Sequence, residues 1–412
     1  MSQPVTDFDY YSEELLEQPF EFYKVLRSKH PVYQVPDTSV FVVSRFRDVK
    51  RMCRDTENFS NNFSKILVGR SPGPKAQEIL SKGWPARSRL HSEDPPRHRY
   101  TRGLFAQAFR PQSLEKVAPL VEQVTHELLD QVASKGYMEF VHDFADQLPL
   151  RIISHLLGVP ESDTELIKTW SDAFASQLSA VRSEEQEIDN AHRIVEFQKY
   201  FASLLERRRQ DPQDDLVSIL ATAKENGQYL ELPDMLSICQ QLMTAGNETT
   251  ASALAGGMLL LIDNPDQLER LTSDPSLIPN AVEEILRLET PTSGLWRMVE
   301  NTVDVHGVTI PAGSTLILRF AAANRDEQQF GPTAEEFDVT RSNAATHLAF
   351  GHGIHFCLGA ELARIEMITA FKIILQRLYG FRLTLDKESR KHRYNEILRG
   401  LIALHIDFDV KQ

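Results

Sequence analysis

His347, His352, His355 and Cys357 crowd into one short stretch near the C-terminal end, H-L-A-F-G-H-G-I-H-F-C-L-G. Gly351, Gly353 and Gly359 punctuate it, and a strongly helical run, Ala360 to Glu366, follows at once. A thiol at a helix start lies within reach of unpaired backbone N–H groups and the positive end of the helix dipole, both of which favour thiolate over thiol. The glycines open backbone angles closed to other residues and let a flat ligand approach closely. A thiolate on such a bracket can serve as nucleophile, zinc ligand or iron ligand. Structural zinc of the usual spacing uses paired C-x-x-C or H-x-x-x-H ligands, and only one cysteine stands here. A nucleophile would want a partnered histidine elsewhere, and a buried apolar cysteine is the plain alternative.

Other residues carry chemistry by type and spacing. Glu284 and Arg287 in V-E-E-I-L-R-L share a helix face and can pair, though most such pairs are solvated surface contacts. His98 and Arg102, spaced i, i+4 after Asp94-Pro95-Pro96, put two donors on one face, or form an ordinary basic surface. In Thr244-Ala245-Gly246-Asn247-Glu248-Thr249-Thr250 a helix-interior glycine costs roughly 1 kcal/mol against alanine, so Gly246 needs a reason. Close packing against a neighbouring helix is one. An acid and an alcohol follow directly.

The spacing Phe350-Gly351-x-Gly353-x-His355-x-Cys357-x-Gly359 resembles the haem-binding signature of the cytochrome P450 superfamily of haem-thiolate monooxygenases. The resemblance spans about residues 90 to 370 with its motifs in order. It implies haem b (iron protoporphyrin IX), with Cys357 as axial iron ligand, Phe350 on the proximal haem face, and Gly359 completing the loop. His98, Arg102, Arg297 and His355 would hold the propionates, which need several charge-assisted hydrogen bonds. Glu284 and Arg287 look like the family's E-x-x-R pair, with Arg341 as its third, structural member. Ala245 and Gly246 would leave space for dioxygen above the iron. Thr249 and Glu248 would form a proton relay, Thr249 also bonding back to the Ala245 carbonyl and opening the helix locally.

By the same resemblance the reaction inserts one oxygen atom of O2 into a hydrophobic substrate of medium or large size: a terpenoid, steroid, fatty acid or aromatic compound. Leu242, Met243, Ala245, Thr292, Ser293, Gly294, Leu295 and Leu398 are the expected pocket. Gly294 would leave room and Ser293 would donate a hydrogen bond. Arg70, Arg87 and Arg89 are candidate carboxylate anchors, or plain surface arginines. A separate ferredoxin and its reductase would supply electrons on the thiolate side, with Arg102 and Arg364 as contacts; a solvated Arg364 is the plainer reading. A haem sensor without turnover and a peroxide-driven hydroxylase are the rival classes, and Glu248-Thr249 speaks against both.

The elements that must position these groups can also be read. The chain has 412 residues, 42% hydrophobic and 25% charged, enough for a large core. The helical patterns read as mainly α with small β-sheets, and the resemblance implies one P450 domain over residues 1–412, monomeric, its haem buried between a long central helix and the Cys-loop helix. Three cysteines are scattered singly, without a disulfide framework. No signal peptide or apolar run of about 18 residues occurs, so a soluble cytoplasmic bacterial-type protein without membrane contact is expected. A net charge of −13 argues against nucleic acid as a partner. Val32–Val35 and Val40–Val43 read as a hairpin, followed by a helix capped by Ser44. Residues 64–90 read as an aperiodic loop over the substrate. Helices are expected over 97–109, 113–134, 141–157, 162–181, 184–209, 215–225, 233–262, 279–288 and 357–379, with β segments at 303–310 and 315–320.

Overall fold

A computed structural model describes residues 8–62, 72–176, 183–384, 390–393 and 395–411. Helix dominates, with small sheets among the helices. The chain clusters into two compact units: residues 1–61, 121–148 and 249–412 form one, and residues 62–120 and 149–248 the other. The division falls inside the helix Leu232–Asp263, between Glu248 and Thr249.

The first unit is built on a five-stranded sheet in the order Val32–Gln34, Val40–Val43, Thr315–Leu318, Leu295–Val299, Phe59–Ser60. Valine and aromatic residues fill these strands, as a pleated surface buried on a core favours. Val32 pairs with Val43 in the antiparallel hairpin, and Arg297 pairs with Leu316. Phe41, Val43, Phe59, Leu316 and Leu318 point into a core shared with Val49, Met52 and Cys53. A second sheet joins Leu378–Leu383, His405–Val410 and Tyr137–Glu139. Val303–Val305 and Val308–Ile310 form a hairpin whose turn places His306 and Gly307 at positive φ. In the same unit the helix Ile278–Glu289 packs on the helix Ala360–Arg377. Gly257, on the helix Leu232–Asp263, lets that helix approach both: a Cβ there would stand 2.9 Å from both Ile285 Cγ2 and Phe371 Cζ.

The second unit is helical apart from the ribbon Lys224–Glu225 and Gln228–Tyr229. Ser183 caps the helix Glu184–Gln210 in a full capping box with Gln186. Trp170 is wholly buried against Phe197, Tyr200 and Phe201.

Several expected elements shift. Ser44 caps nothing: its hydroxyl faces the Pro31 carbonyl, and the helix Phe46–Met52 starts after Arg45 without a side-chain cap. The stretch read as an aperiodic loop contains a helix, Pro74–Leu80, with proline at its first turn where the missing N–H costs nothing. Residues 64–71, Arg70 among them, and the end of the helix expected over 162–181 lie outside the described residues. The helix after Asp94-Pro95-Pro96 stops at Phe105, and a separate turn, Pro111–Leu114, precedes Ala118–Ala133. Val141–Ala145 is a wide π turn before Gln147–Leu157. Asp215 is the N-cap of Leu216–Thr222, and Lys224-Glu225 turns to strand.

Candidate active site

In the first unit the Cys357 loop is held by its own backbone. The Cys357 N–H donates to the Phe350 carbonyl at 2.9 Å, and Phe356 N–H to Gly353 at 3.1 Å. Gly351 and Gly353 sit at φ +68° and +76°, where a side chain is strained. A Cβ at Gly353 would also stand 2.5 Å from the Cys53 carbonyl. The helix starts at Ala360 after an N-cap at Gly359, so Cys357 stands ahead of it rather than in its first turn. Cys357 is exposed, whereas Cys53 and Cys239 are buried with thiols pushed up by burial. Among the described residues no group of three or more His, Cys, Asp or Glu is placed to hold a metal ion.

Two adjacent glutamates on the helix Ile278–Glu289 brace this loop and the chain beside it. Glu284, wholly buried, accepts Arg287 Nε at 2.7 Å, Arg287 Nη2 at 2.8 Å and Arg341 Nε at 2.9 Å. The two guanidinium groups spend their remaining protons on carbonyls. Arg287 reaches Asn324, Ala334 and Glu336, and Arg341 reaches Phe330, Thr333 and Glu336. Such saturation is what allows paired charges to be buried.

Glu283 takes Arg364 Nε at 2.6 Å and Nη2 at 3.0 Å. It also faces His347 Nε2 at 3.2 Å. His347 Nδ1 accepts the Ala349 N–H at 3.1 Å, which leaves Nε2 as the protonated nitrogen that donates to Glu283. Burial alone would raise the Glu283 carboxyl; the hydrogen bonds from His347 and Arg364 overcome it and pull its pKa to about 2. Arg364 lies 4.9 Å from the Phe350 ring centroid. It is therefore half-buried and held by Glu283, and not a freely solvated residue. Its pKa is raised, first by its hydrogen bond to Glu283 and in smaller part by the Cys357 sulfur. Nothing in V-E-E-I-L-R pointed to Glu283, because both partners are remote in sequence.

Arg297 is buried on its strand and gives Nη1 to the Trp296 carbonyl at 2.7 Å. The neighbouring residues serve the fold more than an open cavity. A Cβ at Gly294 would lie 2.8 Å from the Leu318 carbonyl, so this glycine makes room for the next strand. Ser293 donates to the Ile397 carbonyl at 2.9 Å and accepts Arg319 Nη1 at 2.9 Å, so its hydroxyl is engaged within the protein. Thr292 bridges to Leu398, and Leu295 is half-buried against the sheet core. His355 lies half-buried in the loop.

In the second unit His98 is buried and Arg102 half-buried on the helix Arg97–Phe105. Burial, and then Arg102, push the His98 pKa down. Arg89 is no surface anchor: it is buried, bonded to Glu93 at 2.8 Å and paired with Asp234. Arg87 gives its backbone N–H to Ser237 at 2.9 Å. Leu242 and Met243 are buried in this unit, and Ala245 is exposed. Gly246 has its packing reason, since a Cβ would meet Ile153 at 3.0 Å. The helix Leu232–Asp263 spans Ala245–Thr250, with Glu248 and Thr249 half-buried on successive positions.

The chain matches the cytochrome P450 family model over residues 12–406. It is 36% identical over 391 residues to the mycinamicin IV hydroxylase/epoxidase of Micromonospora griseorubida, covering 93% of this chain and 94% of that one. The crystal structure of P450BioI in complex with hexadec-9Z-enoic acid ligated acyl carrier protein superposes with a TM-score of 0.85. Its identity is 32%, over 96% of this chain and 99% of that one. CYP109E1 of Bacillus megaterium in complex with testosterone gives a TM-score of 0.81 at 29% identity, over 95% and 99%. The chain belongs to the cytochrome P450 family and is a monooxygenase of that family. No helix of the described residues is long and apolar enough to cross a membrane.

The family implies a haem-iron cofactor, and the residues fit it in kind. A soft, accessible sulfur stands on a loop whose glycines exclude side chains, and buried cationic or imidazole donors suit carboxylates.

Proposed function

We propose that the protein inserts one oxygen atom of O2 into a medium-to-large hydrophobic substrate, drawing electrons from a separate ferredoxin and ferredoxin reductase. The observation that carries this reading is Cys357, the exposed thiol of the chain, on a loop stiffened by Gly351 and Gly353 and braced through Phe350 by Arg364. Haem b, when bound, supplies dioxygen binding and activation. Cys357 holds its iron, and Phe350 lies against it. His98, Arg102, Arg297 and His355 hold its propionates. Ala245 and Gly246 keep the helix small on the oxygen side. Thr249 positions a proton for the oxygen, and Glu248 passes protons to it from solvent.

Leu242, Met243, Ala245, Thr292, Gly294, Leu295 and Leu398 supply the apolar surroundings of the substrate. Ser293 acts there by fixing the Ile397 segment. The solved relatives' ligands, a long-chain acid on a carrier protein and testosterone, support a hydrophobic substrate of this size. We take the whole chain as one functional domain, acting as a monomer in the cytoplasm. The test is a carbon monoxide difference spectrum of the reduced protein, followed by a screen of fatty acids, steroids, terpenoids and aromatic compounds for the substrate-induced Soret shift. A thiolate-type band and a hit that yields hydroxylated product are expected. The spectrum of a histidine-ligated haem would overturn the assignment of Cys357.

A further inference from the structure

In the second unit the helix Leu232–Asp263 carries a polar stripe. Ser237, Gln241, Thr244 and Glu248, at i, i+4, i+7 and i+11, share one face with Ala245. The chain at 87–91 runs along this face in step with it. The Arg87 N–H donates to Ser237 Oγ at 2.9 Å, and the His91 N–H to Gln241 Oε1 at 3.4 Å. Gln241 also bonds the His91 side chain. Leu90 holds φ +47°, a strained angle for a residue with a side chain, while its N–H is tied to Glu93 Oε2 at 3.0 Å. The backbone thus accepts strain where it presents His91.

One group on this face is left unanswered. Thr244 Oγ1 is buried and has no hydrogen-bond partner among the described residues. A threonine inside a helix commonly turns its hydroxyl back to the carbonyl four residues earlier. Thr125, Thr169 and Thr222 do so here at 2.7, 3.0 and 2.7 Å, and Ser237 does the same at 2.8 Å. Thr244 does not. Gln241 makes no bond among the described residues besides its two to His91, so at least one amide proton remains to be given. The His91 ring is exposed, yet burial is the main cause that lowers its pKa, with Gln241 opposing. The ring therefore borders space within the protein, and it is mostly neutral at pH 7.

We propose that Thr244 Oγ1 and the Gln241 amide, beside the His91 ring, form a hydrogen-bonding wall for an uncharged oxygen of the substrate. The molecule oxidised then carries a ketone, ester or alcohol on its hydrophobic frame. The proposal rests on the monooxygenase reading, in which Ala245 flanks the oxygen side, and narrows its substrate class. A buried hydroxyl without a partner is unfavourable until a ligand answers it. The wall offers protons to an acceptor, and a bare hydrocarbon has none. A carboxylate would need a fixed cation, but the buried arginine of this segment, Arg89, is committed to Glu93 and Asp234. Arg87 is exposed and joins the helix at Ser237, roughly 10 Å back along the axis from Thr244. Thr244 and Gln241 are thus specificity-determining residues, distinct from the relay of Glu248 and Thr249.

The experiment uses the haem-loaded protein and matched compounds that differ only in their oxygen function. These are a steroid ketone and alcohol with the parent steroid hydrocarbon, a terpenoid ketone with its hydrocarbon, and a long-chain methyl ketone with the alkane and the fatty acid. Kd is read from the substrate-induced Soret shift. In the wild type a ketone or alcohol should bind at least about fivefold more tightly than its hydrocarbon. Thr244→Val and Gln241→Leu should each lower that ratio by at least about threefold at an unchanged hydrocarbon Kd, and Thr244→Ser should retain it. The substrate-free thermal midpoint of Thr244→Val should hold or rise, because no bond is lost, whereas Thr222→Val breaks a bond and should melt earlier. A ratio unmoved in either variant, equal weakening of ketone and hydrocarbon, or a lower midpoint for Thr244→Val would each overturn the proposal. So would a panel in which no ketone or alcohol outbinds its hydrocarbon, or in which the fatty acid binds most tightly and Arg87→Ala abolishes it. A wild type without the thiolate band in its carbon monoxide spectrum would instead overturn the haem-thiolate reading, so the two failures are distinguishable.

Discussion

Arg364 lays its guanidinium carbon 4.9 Å from the Phe350 ring centroid while its Nε and Nη2 grip Glu283 at 2.6 and 3.0 Å. The helix that follows the cysteine loop is thereby tied to the loop's first aromatic residue and to the neighbouring helix. His347 closes the ring of contacts, reaching Glu283 on one nitrogen and the Ala349 N–H on the other.

This relationship makes Glu283 an acid-sensitive brace. Its carboxyl is held at about 2 in the folded protein, below the unfolded value of about 4.3. A depressed carboxylate stabilises fully above its unfolded pKa, and the contribution disappears as pH falls toward the folded one. A shift of this size corresponds to stabilisation on the order of 3 kcal/mol at neutral pH. Glu283→Gln should therefore be less stable than wild type at pH 7, and the gap should close between about pH 4.5 and 2. Urea unfolding across that range measures it. A gap independent of pH would mean that the ionised form of Glu283 does not hold Arg364 and His347.

Glu284 makes a harsher prediction. Its side chain and that of Arg287 are both at 0% exposure, and Arg341 depends on the same carboxylate. Glu284→Ala leaves two buried guanidinium groups without their anion, at a cost of roughly 3–5 kcal/mol. Little haem-loaded protein should be recovered, and what is recovered should melt earlier. Normal yield and thermal midpoint would return the pair to the role of a dispensable contact.

Gly353 offers a test of the loop itself. Gly353→Ala meets both a positive φ and the Cys53 carbonyl, whereas Gly307→Ala meets only a positive φ, with no atom within 4 Å. Backbone strain of this kind is worth about 1–3 kcal/mol. Differential scanning calorimetry should rank Gly353→Ala well below Gly307→Ala, and only the former should weaken the thiolate band. Equal stability of the two would mean that the approach of Cys53 to the loop is not a constraint.

The sequence carried some of this and concealed the rest, for physical reasons. Glu284 and Arg287 share one helix turn, so spacing alone made them a pair. Glu283 could not be read, because its partners lie 64 and 81 residues away and only tertiary packing brings them in. The small side of Gly246 admitted two explanations, and packing against Ile153 supplies one of them outright. Gly294 and Ser293 looked like pocket lining because their small size and hydroxyl suit a substrate. Strand contact with Leu318 and bonds to Ile397 and Arg319 use those same properties. Arg89 sits in a stretch rich in glycine and proline, which hid its pairing with Glu93 and Asp234. Helix interiors were legible and their ends were not, since caps such as Gly359 depend on local turns more than on periodicity.

The helix through Glu248 and Thr249 sets the last prediction. Successive helical residues diverge by about 100°, so the acid and the alcohol cannot serve the same point. In the proposed relay Thr249 faces the oxygen and Glu248 a solvent path. A positioned proton donor is worth about 10²–10⁴ in rate. Thr249→Ala should still bind haem and substrate and still consume reduced cofactor, but its electrons should leave largely as hydrogen peroxide. The alcohol that positions the proton is gone, whereas the supply of protons is not. Glu248→Gln should do the reverse, slowing turnover while keeping a larger share of electrons in product. Product and peroxide formed per cofactor oxidised separate the two outcomes, and a slower rate at unchanged ratio marks the acid. If Thr249→Ala couples as well as wild type, proton positioning belongs to another residue, and the oxygen-activating role assigned to this helix fails.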